Sequence, residues 1–120
     1  PLIHVLQNDV AAVRLWATGS LAEAGGTSPA NADIAASQLL MSLQIDGEPV
    51  VRSNCIWALG RLYDTLVEPR RQELVEAFVD SLLNDAELSV RDEARIALEQ
   101  LENSEVIQRL QTLVDEGRLT

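Results

Sequence analysis

The stretch DGEPVVRSNCIWALGRL, Asp46 to Leu62, decides how this chain is read. On a wheel of about 100° per residue, Val51, Cys55, Ala58, Leu59 and Leu62 share one face, which predicts an amphipathic helix. Pro49 stands near its start, where a missing N–H costs little. Asp46 and Gly47 supply turn chemistry just ahead of it. Two large residues do not fit the stripe. Trp57 lies about 140° from the centre of the core face and Ile56 about 115° away on the other side, so both are expected at the surface.

Working outward, the same pattern recurs twice. NDVAAVRLWATGSLA from Asn8 and DAELSVRDEARIALE from Asp85 superimpose on DGEPVVRSNCIWALG from Asp46. The arginines Arg14, Arg52 and Arg91 follow a valine in each copy and are spaced by 38 and 39 residues. Asn8, Asp46 or Asp85 precedes each arginine by six positions, and a small residue (Ala17, Cys55, Ala94) follows it by three. Ahead of each Asn or Asp runs a second apolar stripe: PLIHVLQ, IAASQLLMSLQ and LVEAFVDSLL. Each copy therefore reads as helix A, a tight turn, then helix B. The linkers AGGTSPANAD and YDTLVEPRR join one copy to the next, with Asp33 or Asn31 expected to cap the helix that follows the first. SEVIQRLQTLVDEG from Ser104 carries one more helical stripe, read as a fourth helix A without its B. The expected units are residues 1–24, 32–63 and 70–102, then a terminal helix over 104–116, all in a single domain. The chain opens on Pro1 with the apolar pattern already running at Leu2, as a piece of a longer chain would.

The pattern D-x-x-x-x-V-R-x-x-A-x-x-A-L-G-x-L resembles the HEAT repeat, above all the short HEAT-like repeat of phycobilisome lyases and many bacterial proteins. The middle copy matches at Asp46, Val51, Arg52, Ala58, Leu59, Gly60 and Leu62, with Cys55 in place of Ala. The third departs at Glu99 and the first at Asn8, Ser20 and Ala22. The resemblance covers nearly the whole chain. It implies an all-α, right-handed α-solenoid of helical hairpins, since one hairpin cannot bury its apolar stripes alone and neighbours must stack. It also implies a structural ladder, in which Arg14, Arg52 and Arg91 pair with Asp46, Asp85 or backbone groups in or next to their own repeat.

Composition narrows the function. The 120 residues suffice for one modest core. Hydrophobic residues make up 47% and aromatics only 3%, a balance that suits helices packed closely on helices. The net charge is −10: residues 1–62 hold 5 acids and 3 bases, residues 63–120 hold 14 acids and 6 bases. Such a surface repels phosphate backbones and anionic membranes and favours a neutral or basic protein partner. No apolar run reaches the length of a membrane span, and the lone Cys55 permits no internal disulfide, so a cytoplasmic setting is expected.

No catalytic constellation is visible. The single histidine, His4, lies in the first helix A, while Cys55 falls on the core face of another repeat. Zinc, calcium and phosphate-loop patterns are missing, and no cofactor is expected. What remains is a surface. The resemblance places helices B on the concave side, where Trp57, Ile56, Trp16 and Ile96 would form an apolar patch, with Gly19 leaving a dip and Arg61 one turn beyond Trp57. Trp16 sits on the flank of its core face and has packing on a neighbouring helix as its alternative. Covering by linkers or by a flanking repeat is the alternative for Trp57. Exposed tryptophan in an apolar patch marks contact surfaces. The expected function is thus a non-enzymatic scaffold or adaptor that binds a protein or peptide. Two alternatives stand beside it: part of a bilin lyase or chaperone-like factor for phycobiliproteins, as the resemblance implies, and a structural section of a larger solenoid. Self-association through the solenoid ends is a further expectation.

Overall fold

The computed structural model describes residues 10–119. The helices are α1 (Ala11–Gly25), α2 (Pro29–Ile45), α3 (Pro49–Leu62), α4 (Arg70–Asn84), α5 (Leu88–Gln100) and α6 (Ser104–Asp115), with a 3₁₀ turn at Tyr63–Thr65. No strand occurs among the described residues. The hairpins α2–α3 and α4–α5 are the helix A and helix B pairs that the repeat predicts. The earlier helix A, PLIHVLQ, lies outside the described residues, as do His4 and Asn8. α1 is the helix B of that first copy, and α6 is the extra helix A.

Several boundaries have a local cause. Ser28 Oγ accepts the Asn31 N–H at 3.1 Å and Pro29 follows, so α2 begins ahead of the expected caps Asn31 and Asp33. Both of those residues lie within the helix. Asn103 Oδ1 accepts the N–H groups of Glu105 and Val106 and starts α6. At the A-to-B turns, Asp46 and Asp85 leave helical geometry. Their carboxylates each accept the N–H two residues on, from Glu48 and Glu87 at 3.0 Å. This Asx turn reverses the chain within three residues.

The helices form two layers. α1, α3 and α5 pack side by side in one, while α2 and α4 lie in the other and approach each other at few points. The molecule is elongated and measures 44 × 29 × 17 Å. Small residues allow the close approach of the B layer. The column Ala17, Cys55 and Ala94 is fully buried, and Leu21, Leu59 and Leu98 fill the space beside it. Phe78, Leu39 and Leu74 anchor the A helices onto that layer.

Stacking overturns one expectation. Ile56 is not at the surface; its exposure is 0%. A helix B has three neighbours, its own helix A and the B helices before and after it. Ile56 sits on the side of α3 that α5 covers. The same column reads Thr18, Ile56, Arg95 along the chain. Thr18, on the side of α1 that α3 covers, is likewise fully buried. Its hydroxyl donates to the Leu15 carbonyl at 2.7 Å and meets the Asn54 side-chain amide of α3.

Candidate functional site

Trp57 is 42% exposed, on the face of α3 that points away from the A layer. Arg61 stands one turn later, and its guanidinium carbon lies 5.1 Å from the centre of the indole, a cation–π distance. Ile96 of α5 is 48% exposed and joins Trp57 in a cleft of about 260 Å³ between α3 and α5. Gly60 forms part of the cleft, and a methyl group added there would meet open space, so the missing side chain helps to make the opening. The wall on α5 is completed by Glu93, Ala97, Gln100 and Leu101. Chemically the cleft offers one flat aromatic surface, one aliphatic wall, and a charge of each sign at Arg61 and Glu93.

The structure thus brings Trp57, Arg61 and Ile96 together. It does not bring Ile56 or Trp16 to them. Ile56 is covered by α5. Trp16 is 61% exposed and outside the cleft, rather than packed on a flank. It occupies the column of Asn54 and Glu93, the side of each helix B that faces the preceding one. Among the described residues no helix B stands ahead of α1. Gly60, Glu93, Ala97, Gln100 and Leu101 were missed as cleft residues, although a signal was present for those of α5 and its C-cap. Positions 93, 96, 97, 100 and 101 form a single helical stripe on α5.

The repeated columns of acid and arginine meet as ion pairs between repeats. Arg14 Nε and Nη2 donate to Asp46 at 2.7 and 3.1 Å, and Arg52 Nε and Nη2 donate to Asp85 at 2.9 and 3.0 Å. Each arginine therefore clasps the aspartate of the following repeat with a bidentate fork. Arg52 and Arg91 also reach their own turns, donating from Nη1 to the carbonyls of Asp46 at 3.0 Å and Asp85 at 2.7 Å. Burial alone would raise the Asp46 and Asp85 pKa values. The hydrogen bonds from Arg14, Arg52 and the backbone outweigh it and hold both below the ordinary carboxylate value. Geometry of this kind locks one repeat to the next and leaves the forks fully engaged.

Cys55 is buried between the layers, and burial, with the nearby Asp46 charge, pushes its thiol up to about 12. It stays protonated at neutral pH, unlike a nucleophilic thiol. Among the described residues no group of three or more His, Cys, Asp or Glu side chains is placed to hold a metal ion. No helix among them is long and apolar enough to cross a membrane.

A family model described as HEAT repeats matches residues 36–119. No curated protein and no solved structure matches the chain.

Proposed function

Because this chain belongs to the HEAT-repeat family, we propose that it is a protein–protein interaction module whose helix-B face grips a protein or peptide at the Trp57–Ile96 cleft. The observation that carries this reading is the pairing of two exposed apolar side chains across adjacent repeats, with a guanidinium stacked on one of them. An indole held rigid by its own helix loses little entropy on binding and buries a large area, which is why tryptophan dominates interface energetics. The net charge of −10 supports a neutral or basic protein as partner and disfavours nucleic acid. The Arg–Asp forks, fully engaged between repeats, serve as the ladder that keeps the two walls of the cleft in register.

The test is capture of partners from cell lysate on immobilised wild type, followed by titration of the purified partner against wild type, Trp57→Ala and Ile96→Asp. Circular dichroism establishes equal folding of the three. Loss of affinity by tenfold or more in both variants supports the cleft as the anchor. Unchanged affinity in both overturns it.

A further inference from the structure

The A layer carries a second concavity. Between α2 and α4 runs a surface groove of about 1040 Å³. It exists because the B helices touch while α2 and α4 fan apart, leaving a wedge that no described residue fills. The ends are closed by ion pairs already committed within the fold, Arg70 with Asp33 at one and Arg52 with Asp85 at the other.

Its two walls differ in chemistry. α2 presents Leu40 and Met41, and Ala77 of α4 continues this apolar strip. Met41 is exposed. The rest of the α4 wall is polar: the carboxylates Glu73, Glu76 and Asp80 line the groove, with Arg70, Gln72, Ser81 and Asn84 beside them. Glu73 is ion-paired with Arg70, and Glu76 is ion-paired with Arg109 and accepts a further hydrogen bond from the Gln72 amide, each carboxylate keeping about half of its side chain exposed. Asp80 receives a hydrogen bond only from the neutral Asn84 amide at 2.8 Å, among the described residues. Positions 73, 76 and 80 fall one turn apart on α4, so the carboxylates repeat about every 5 Å along the groove. Basic side chains at i, i+3 or i+4 and i+7 of a helical segment have the same spacing.

We propose that the α2–α4 groove docks a cationic amphipathic segment of a protein partner, its apolar side on Leu40, Met41 and Ala77 and its Lys or Arg side chains over Glu73, Glu76 and Asp80. Charge selects this occupant. A second copy of the chain carries −10 overall and contains no lysine, so it would bring like charge to these carboxylates. Polyanions are repelled for the same reason. The site is separate from the Trp57 cleft, which opens on the other layer, and it does not depend on that reading.

The experiment is fluorescence anisotropy with a labelled 14-residue Lys/Leu peptide patterned as an amphipathic helix, beside a scrambled peptide of the same composition. Wild type binds the patterned peptide more tightly than the scrambled one, and added salt weakens the binding. Asp80→Arg and Met41→Glu each lower affinity tenfold or more. Glu23→Arg, the same charge change on α1 outside the groove, and Trp57→Ala leave it within about twofold. Circular dichroism confirms that each variant is folded, and Met41→Ala gives a milder second probe if Met41→Glu is not. Equal losses from Asp80→Arg and Glu23→Arg would mean general electrostatic attraction and overturn the proposal. So would loss with Trp57→Ala alone, or no binding of the patterned peptide.

Discussion

Arg52 holds Asp85 through two parallel hydrogen bonds, across the boundary between one repeat and the next. Its third nitrogen binds the carbonyl of Asp46, at its own turn. One side chain thus ties together both A-to-B turns, and Asp85 in turn accepts the N–H of Glu87 that begins α5. With side-chain exposures of 14% and 9%, the pair is largely withdrawn from water. Removing either partner leaves the other charge and its backbone contacts uncompensated. Arg52→Met and Asp85→Asn are each expected to cost about 2–3 kcal/mol, below the upper end for breaking a fully buried pair. Urea denaturation of the two single variants and the double variant measures this. The double is expected to lose clearly less than the sum of the singles. Additive losses would mean that the fork contributes nothing as a pair.

The same forks set an acid dependence. Asp46 and Asp85 titrate below their ordinary value of 3.8 in the folded chain. As pH falls toward that value, the unfolded chain takes up protons before the folded one does. The stabilisation is therefore full above pH about 5, begins to fall near pH 4, and is lost as pH drops through the depressed folded values. The urea midpoint of wild type should hold between pH 7 and 5 and then fall steeply below 4. Asp85→Asn starts lower and falls less, since one of the titrating groups is gone. Identical slopes for the two proteins would remove Asp85 from the acid transition.

Ile56 and Trp57 are adjacent in sequence and opposite in environment. Ile56→Ala empties a site covered by α5 and should cost about 2–5 kcal/mol. Trp57→Ala removes a side chain that is 42% exposed and should cost about 1–3 kcal/mol, less than Ile56→Ala, since only part of the indole is covered. Thermal unfolding followed by circular dichroism separates the two. A larger loss for Trp57→Ala than for Ile56→Ala would place the tryptophan in the core and remove the cleft.

Two backbone positions call for opposite substitutions. A Cβ on Gly25, the last residue of α1, would lie 2.9 Å from the Ala35 Cβ and 3.0 Å from a Leu62 methyl. Gly25→Ala should thus destabilise by about 1–3 kcal/mol through overpacking, although alanine is the better helix former. Glu102, just beyond α5, has φ of 52°, in the left-handed region. Glu102→Gly should stabilise by about 1 kcal/mol, because glycine meets no Cβ penalty there. Calorimetric melting of both variants checks the pair of signs.

Much of this fold is legible in the chain because its causes are local. Apolar spacing of 3.6 residues marks each helix, and the Asp and Arg columns mark each turn and its partner. The order of helices A and B follows from the period alone. The cleft was legible in part: Trp57, Arg61 and Ile96 stand out as large or charged residues away from a core stripe. Ser28 went unread as a cap because Asn31 and Asp33 offered the same chemistry a few residues on.

The sequence by itself determined the hairpins, the repeat and the residues that join one repeat to the next, since each depends on side chains within one turn of helix or one period of the repeat. Only the tertiary structure decided which side of a helix B is covered. Position 56 is buried in α3 because another helix B lies against it, and the equivalent Arg95 in α5 remains partly exposed where none follows among the described residues. The wedge between α2 and α4 has the same origin. It comes from the angle at which whole hairpins stack, a property that no single stripe encodes.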